Sequence, residues 1–171
     1  MKFLKIIPLL FVFIGFFPNE ALVRAGTENP KDYKVLATNN KNLSIANVEY
    51  YLKEGDEFIK NGDYNNAKVS YLDARKLAKQ LASFYSDLNA AFIGIDARIP
   101  IEMQRKGKET LQILAESNKR LAAMYIKNGK PDVAVPLLVE TIRIMSPNST
   151  EGKEAYEILI QLGFVETKYN S

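Results

Sequence analysis

The sequence predicts an all-α fold, and its patterning supports this in three ways. From Ser44 onward, apolar residues recur at steps of three and four, which is the period of one face of a helix. Clusters of Gly, Pro, Asn and Asp interrupt that pattern, and no stretch alternates as a strand would. The 171 residues are 47% hydrophobic and 25% charged, which is enough apolar material for one helical domain.

The N-terminal segment has the pattern of a secretory signal. Lys2 and Lys5 precede an apolar run over 6–17, and the small residues of Val23-Arg24-Ala25 follow before Gly26. Crossing a bilayer takes about 20 apolar residues, so this run is too short for an ordinary span. We predict a cleaved signal peptide at 1–25; the alternative is an uncleaved membrane anchor. Residues 26–43 show no sustained period and are expected to form a flexible lead-in.

Charge and composition exclude several classes of function. The chain contains no Cys and no His, which removes thiol catalysis, Cys-ligated zinc and the Ser-His-Asp triad. Without residues 1–25, 20 basic and 19 acidic residues remain, a net charge of +1. This balance gives no support for nucleic-acid binding. We therefore expect a non-catalytic protein without cofactor or metal.

Three helices follow from the pattern between Ser44 and Asn128. Ser44 is placed to cap the first helix, and Asn61-Gly62-Asp63 ends it and caps the next. An unbroken apolar stripe then predicts a long helix over about 64–94. The stretch Asp96–Pro100 breaks it, and a second long helix is predicted over about 100–128. We expect the two long helices to pack as an antiparallel hairpin.

Two shorter helices complete the predicted domain, which covers 44–163. Pro131 suits the first turn of the fourth helix, and Pro136 inside it is expected to bend it. A turn at 146–150 precedes the last helix, which should end at Leu162-Gly163. Residues 164–171 form a C-terminal tail.

A repeat at a constant offset of 67 residues is the most specific signal in the chain. The offset is one residue short of two 34-residue periods, the length of a tetratricopeptide repeat (TPR). The aligned pairs are Gly55 with Ala122, Phe58 with Tyr125, Gly62 with Gly129, Ala67 with Ala134, and Tyr71 with Leu138. Small residues at Gly55 and Ala67 are expected to let two helices approach closely.

The motif residues resemble a TPR array over about 46–145. The positions expected to pack the repeats are Tyr51, Gly55, Phe58, Gly62, Tyr64, Ala67, Tyr71, Ala74, Leu121, Ala122, Tyr125, Gly129, Ala134 and Leu138. Glu54, Asn118, Lys130-Pro131 and Thr141 depart from the TPR pattern. A middle unit keeps the helix spacing but has lost its turn, which is why we predict fused helices. The rival interpretation is an ordinary helical bundle with coincidental spacing.

The TPR resemblance implies a binding groove for a protein or peptide on the concave face. Its expected positions are Leu52, Asp56, Ile59, Lys60, Lys119, Ala123, Ile126 and Lys127. Leu52 and Asp56 stand where chaperone-binding TPR proteins carry Lys and Asn, so that carboxylate clamp is not expected. The segments GIDARIP, RKGKETL, LVETIRIMSP and LGFVETKY also resemble exported TPR-like proteins of cyanobacteria and the plastid thylakoid lumen. This resemblance implies a periplasmic or lumenal location.

Other charged groups were assigned structural or solvent-exposed roles. Glu49, Glu54, Asp56 and Glu57 crowd one helix as a solvated acidic face rather than a catalytic pair. Asp96 is expected to cap the helix that follows it.

A short basic run, Arg105, Lys106 and Lys108, is expected to be a solvated face, with an acidic partner or a lipid headgroup as the alternative. The sequence as a whole predicts an exported, non-catalytic TPR-like adapter or scaffold. The alternative is a membrane-anchored assembly factor, for example for a photosynthetic or envelope complex.

Overall fold

A computed structural model describes residues 43–169, and this part of the chain is all-α, as predicted. It contains five helices and no strand: α1 (Ile45–Lys60), α2 (Tyr64–Phe92), α3 (Arg98–Lys127), α4 (Pro131–Met145) and α5 (Thr150–Gln161). The predicted signal peptide and lead-in lie outside the described residues, apart from Leu43. The last two residues of the predicted tail do so as well.

Local capping explains where the helices begin. Ser44 Oγ accepts the Asn47 N–H at 3.2 Å, and Asp63 Oδ1 accepts the Asn66 N–H at 3.1 Å. Both bonds satisfy donors that have no partner within a helix. Gly62, between α1 and α2, has a φ of +75°, a conformation that glycine adopts without a steric penalty.

The two central helices are long and unbroken, with 29 residues in α2 and 30 in α3. The break between them is placed slightly differently from the prediction, because α3 begins at Arg98 rather than at Pro100. Pro100 lies in the first turn of α3, where a missing N–H leaves no hydrogen bond unmade. The N-cap of α3 is Ala97, not Asp96 as expected, and it makes no side-chain capping bond. Asp96 lies one residue earlier, and its Oδ1 accepts the Arg98 N–H at 3.0 Å.

The helices pack in chain order. The most extensive contact joins α2 to α3, while α1 packs on α2, α4 on α3, and α5 on α4. Two contacts place α1 beside the C-terminal half of α3 and in the same direction. Asp56 pairs with Arg120, and beyond the turn that follows α1, the Lys127 ammonium lies over the ring of Tyr64, the first residue of α2.

The core is built from small and aliphatic side chains at the predicted positions. Of the positions expected to pack repeats, those buried are Gly55, Ala67, Tyr71, Ala74, Leu121, Ala122, Ala134 and Leu138. Those half-buried against the core are Tyr51, Phe58, Tyr64 and Tyr125. Gly62 and Gly129 are exposed in turns.

Gly55 makes a close contact of a different kind from the one expected. We predicted that two helix backbones approach each other there. Instead, a Cβ at Gly55 would overlap the ring of Tyr71, and the ring is 3% exposed. Glycine is needed at this position because an aromatic ring occupies the space of a side chain.

Candidate functional site

The predicted groove positions differ in their access to solvent. Lys60, Ala123 and Lys127 are exposed, whereas Ile59 and Ile126 are half-buried against the core. Leu52 is 5% exposed and belongs to the core, so it is not part of an open groove. The apolar stripe of α1 turns Leu52 inward, together with Val48.

The accessible positions form one face, which we call the α1–α3 face. It consists of Ile59, Lys60, Ala123, Ile126 and Lys127. Because Asp56 lies beside Arg120 and the two helices run in the same direction, one further turn places Ile59 level with Ala123. Apolar and basic side chains of two neighbouring helices therefore lie at the same level of the molecule.

Asp56 and Lys119, also predicted for the groove, are engaged within the molecule. Asp56 Oδ1 accepts the Tyr71 hydroxyl at 2.7 Å and Arg120 Nε at 3.0 Å. Burial, together with this hydrogen bond, raises the pKa of Tyr71 above its ordinary value.

Lys119 donates to Glu154 of α5 at 2.6 Å. That hydrogen bond is the main cause that raises the pKa of Lys119. Both Asp56 and Lys119 thus link neighbouring helices, and a partner would have to break these bonds to use them.

A second group of polar side chains, which we call the interhelix cluster, joins α2, α3 and α4. Arg75 Nη2 lies 2.6 Å from Glu140 Oε2, and Lys79 Nζ lies 2.5 Å from Glu140 Oε1. Asn118 accepts Arg75 Nε at 2.7 Å and donates to Glu140 at 3.0 Å. Every polar atom of the Asn118 side chain thus has a partner, although the residue is fully buried.

Glu140 remains ionised in this environment. Burial alone would raise the pKa of the Glu140 carboxyl, but hydrogen bonds from Lys79, Arg75 and Asn118 together lower it below its ordinary value. The cluster therefore joins three helices through one carboxylate that is shared by two cations and one amide.

The interhelix cluster is not predicted from the sequence. Its only signal was Asn118, a polar residue within an apolar stripe at a position where a TPR prefers a large aromatic side chain. Arg75 and Glu140 are 65 residues apart and lie on different helices. No local spacing rule connects them.

The acidic residues of α1 make ordinary contacts. Glu54 accepts the Ser70 hydroxyl at 2.8 Å, and Glu57 pairs with Lys60 at 2.6 Å. Within residues 43–169, no group of three His, Cys, Asp or Glu side chains is arranged to hold a metal ion. In the same range, no helix combines the length and apolar character needed to cross a membrane.

Comparison of the chain with models of protein families, with curated proteins and with solved structures found no match. The assignment of a site therefore depends on the geometry of the α1–α3 face.

Proposed function

We propose that the chain is a non-catalytic adapter that binds a segment of another protein on the α1–α3 face. The observation that carries this proposal is the combination of half-buried Ile59 and Ile126 with exposed Lys60, Ala123 and Lys127 on two neighbouring helices. Such a surface offers apolar contact at its centre and positive charge beside it. The TPR resemblance of the sequence supports the same use of this face.

The two lysines favour a partner segment that carries acidic residues. Lys60 pairs with Glu57, but both side chains are about two-thirds exposed, 67% and 65%. An exposed pair of this kind contributes little stability, so a carboxylate of the partner can replace Glu57 at small cost. Lys127 Nζ lies 5.6 Å from the centre of the Tyr64 ring, which holds the ammonium near the same face. We infer a partner peptide with apolar residues flanked by Asp or Glu.

Site-specific crosslinking tests this function. Ala123 is an exposed position of the face, so a photoreactive amino acid there should capture the partner in the native compartment. The matched control is the same amino acid at Lys76, an exposed position of α2. The charge-reversed variant Lys60→Glu/Lys127→Glu should abolish the Ala123 crosslink, whereas Lys76→Glu should leave it intact. A crosslink of equal yield from both positions, or one unaffected by charge reversal, would contradict the proposal.

We also propose that the adapter is exported. The basic head, the twelve-residue apolar run over 6–17 and the small residues before Gly26 support cleavage after Ala25. N-terminal sequencing of the protein purified from its native host should begin at Gly26. A chain that still begins at Met1 would contradict export by cleavage and favour the retained anchor.

A further inference from the structure

The loop between α2 and α3 presents an unusual concentration of exposed apolar side chains. Ile93, Ile95 and Ile101 are 65%, 75% and 68% exposed. These residues all lie where the hairpin of the two long helices turns, and we call this region the apex. Isolated exposed apolar residues are common on protein surfaces, but a group at one projecting end indicates a contact surface.

Charge is nearly absent from the apex. Between residues 88 and 101 the only charged side chains are Asp96 and Arg98. They pair with each other through two hydrogen bonds, at 2.6 and 3.0 Å, so the pair is electrically balanced. The remainder of the segment is Leu, Ile, Ala, Phe, Gly, Pro and one Asn. The apex can enter an apolar medium at low cost, because no unpaired charge has to be removed from water.

Basic side chains begin one turn farther along α3. Ile101, Arg105 and Lys108 follow each other at steps of four and three, so they share one exposed face of the helix. With a rise of 1.5 Å per residue, Arg105 lies about 6 Å and Lys108 about 10 Å from Ile101 along the helix axis. Lys106 adds a further positive charge at this level. Lys106 contacts Glu102 at 3.0 Å and Arg105 contacts Glu109 at 3.7 Å, but these are surface pairs that contribute little, so both cations can meet a lipid phosphate instead.

We propose that the apex inserts into the surface of a lipid bilayer that contains anionic lipids. The three isoleucines would enter the boundary between headgroups and acyl chains, and Arg105 and Lys108 would meet the lipid phosphates. The axial offset of about 6–10 Å matches the depth of about 5–10 Å to which apolar faces enter this boundary. Apolar side chains at the tip match the acyl chains, and the basic side chains behind them match the anionic headgroups.

This inference does not depend on the adapter function, because the apex and the α1–α3 face are separate surfaces. The α1–α3 face lies at the ends of α1 and α3 that meet the start of α2, whereas the apex lies at the other end of α2. Variants of one surface can therefore be tested without changing the other.

A fluorescent probe at the apex provides the test. The full chain has no Cys, so Ile95→Cys gives a single labelling site for an environment-sensitive dye. Lys68→Cys, exposed near the start of α2, is the matched control position. With vesicles of phosphatidylcholine and phosphatidylglycerol at 7:3, we expect a blue shift and quenching by nitroxide-labelled lipids at position 95 but not at position 68.

The fluorescence shift has to be measured at each labelled position separately, because the apolar run over 6–17 can bind vesicles by itself. That binding would bring both probes near the membrane without inserting position 95. We expect Ile93→Ser/Ile101→Ser to abolish the shift at position 95. Arg105→Gln/Lys108→Gln should raise the lipid concentration for half-maximal shift by roughly 30-fold, from about fivefold per basic residue. Both pairs are exposed, so the helical circular dichroism signal should not change.

Three outcomes would overturn the proposal. One is the absence of a shift at position 95 with the mixed vesicles. Another is an equal shift at positions 95 and 68. The third is a shift at position 95 that appears without vesicles and grows with protein concentration, which would show that the apex contacts a second copy of the chain instead.

Discussion

At the scale of single residues, Asn118 and Glu140 show how a buried polar group can be accommodated in a helical core. Asn118 uses both atoms of its amide, and Glu140 accepts from three side chains. These bonds connect three helices at one level of the molecule. Removing the Glu140 carboxylate should therefore leave the buried Asn118 amide N–H without its acceptor and the half-buried Arg75 with one bond fewer, which is costly.

We predict that Glu140→Gln destabilises the fold by about 1–3 kcal/mol at neutral pH, because hydrogen bonds to a charged group are lost. The folded-state pKa of Glu140 is lowered, so its contribution is present above the unfolded value of about 4.3 and is lost as pH falls through the folded value. The stability difference between wild type and variant should thus shrink below about pH 4. Urea unfolding at several pH values measures it.

Glu157→Gln is the control for this prediction, since Glu157 is an exposed carboxylate on α5. It should change the free energy of unfolding by less than about 0.5 kcal/mol. A Glu140→Gln variant as stable as Glu157→Gln at pH 7 would show that the interhelix cluster contributes no net stability.

Two glycines inside helices form a matched pair of sites. A Cβ at Gly55 would overlap the Tyr71 ring, whereas a Cβ at Gly107 would lie 3.8 Å from Tyr85 Cβ, an ordinary contact. Alanine is favoured over glycine inside a helix by about 0.5–1 kcal/mol. We therefore predict that Gly107→Ala raises the melting temperature and Gly55→Ala lowers it, since overpacking costs about 1–3 kcal/mol. Thermal unfolding would contradict this if both variants were stabilised.

At the scale of helices, the continuity of α2 is the feature that departs most from a regular repeat array. A regular array would turn near Lys79-Gln80, but no Gly, Pro or capping residue is present there. Spin labels at Lys68→Cys and Ala90→Cys, both exposed on α2, should give one narrow distance near 33 Å, from 22 steps of about 1.5 Å. A broad distribution, or one centred below about 25 Å, would indicate a turn within α2.

The elements could be predicted from the sequence because their signals are local. Ser44 and Asp63 are capping residues that predict two helix starts. The apolar residues from Tyr64 through Leu81 predict which face of α2 is buried. Helix α3 begins two residues before the predicted start at Pro100, because the first turn of a helix tolerates proline. Two long, unbroken central helices, as predicted, are present in the described structure.

The site was less predictable because it depends on contacts between distant residues. Leu52 was assigned to the groove from its repeat position, but only the packing of α1 on α2 shows that it faces the core. Asp56 and Lys119 carry charges typical of a binding surface, yet their partners Arg120 and Glu154 come from other helices. Sequence spacing could not reveal those partners.

At the scale of the whole molecule, the charged contacts that join different helices lie in the same part of the structure as most of the buried residues. The bonds of Asp56, Arg75 and Lys119 all join helices around the N-terminal half of α2 and the C-terminal half of α3. The apex lies beyond them, at the far end of both long helices. The helices joined by these bonds form what we call the braced region, which carries the α1–α3 face. The hairpin of α2 and α3 projects beyond it.

The uneven burial along α2 has a consequence for how the molecule opens. Its buried residues begin at Ala67 and end at Leu81, and no residue from 82 to 92 is buried. Local opening requires little energy where few side chains leave the core. In hydrogen–deuterium exchange, amides of 84–92 should therefore exchange well before those of 67–78, although both belong to one continuous helix. Uniform protection along α2 would contradict this prediction. Early exchange of the amides of 84–92 would mean that the hairpin opens from its apex while the braced region stays closed.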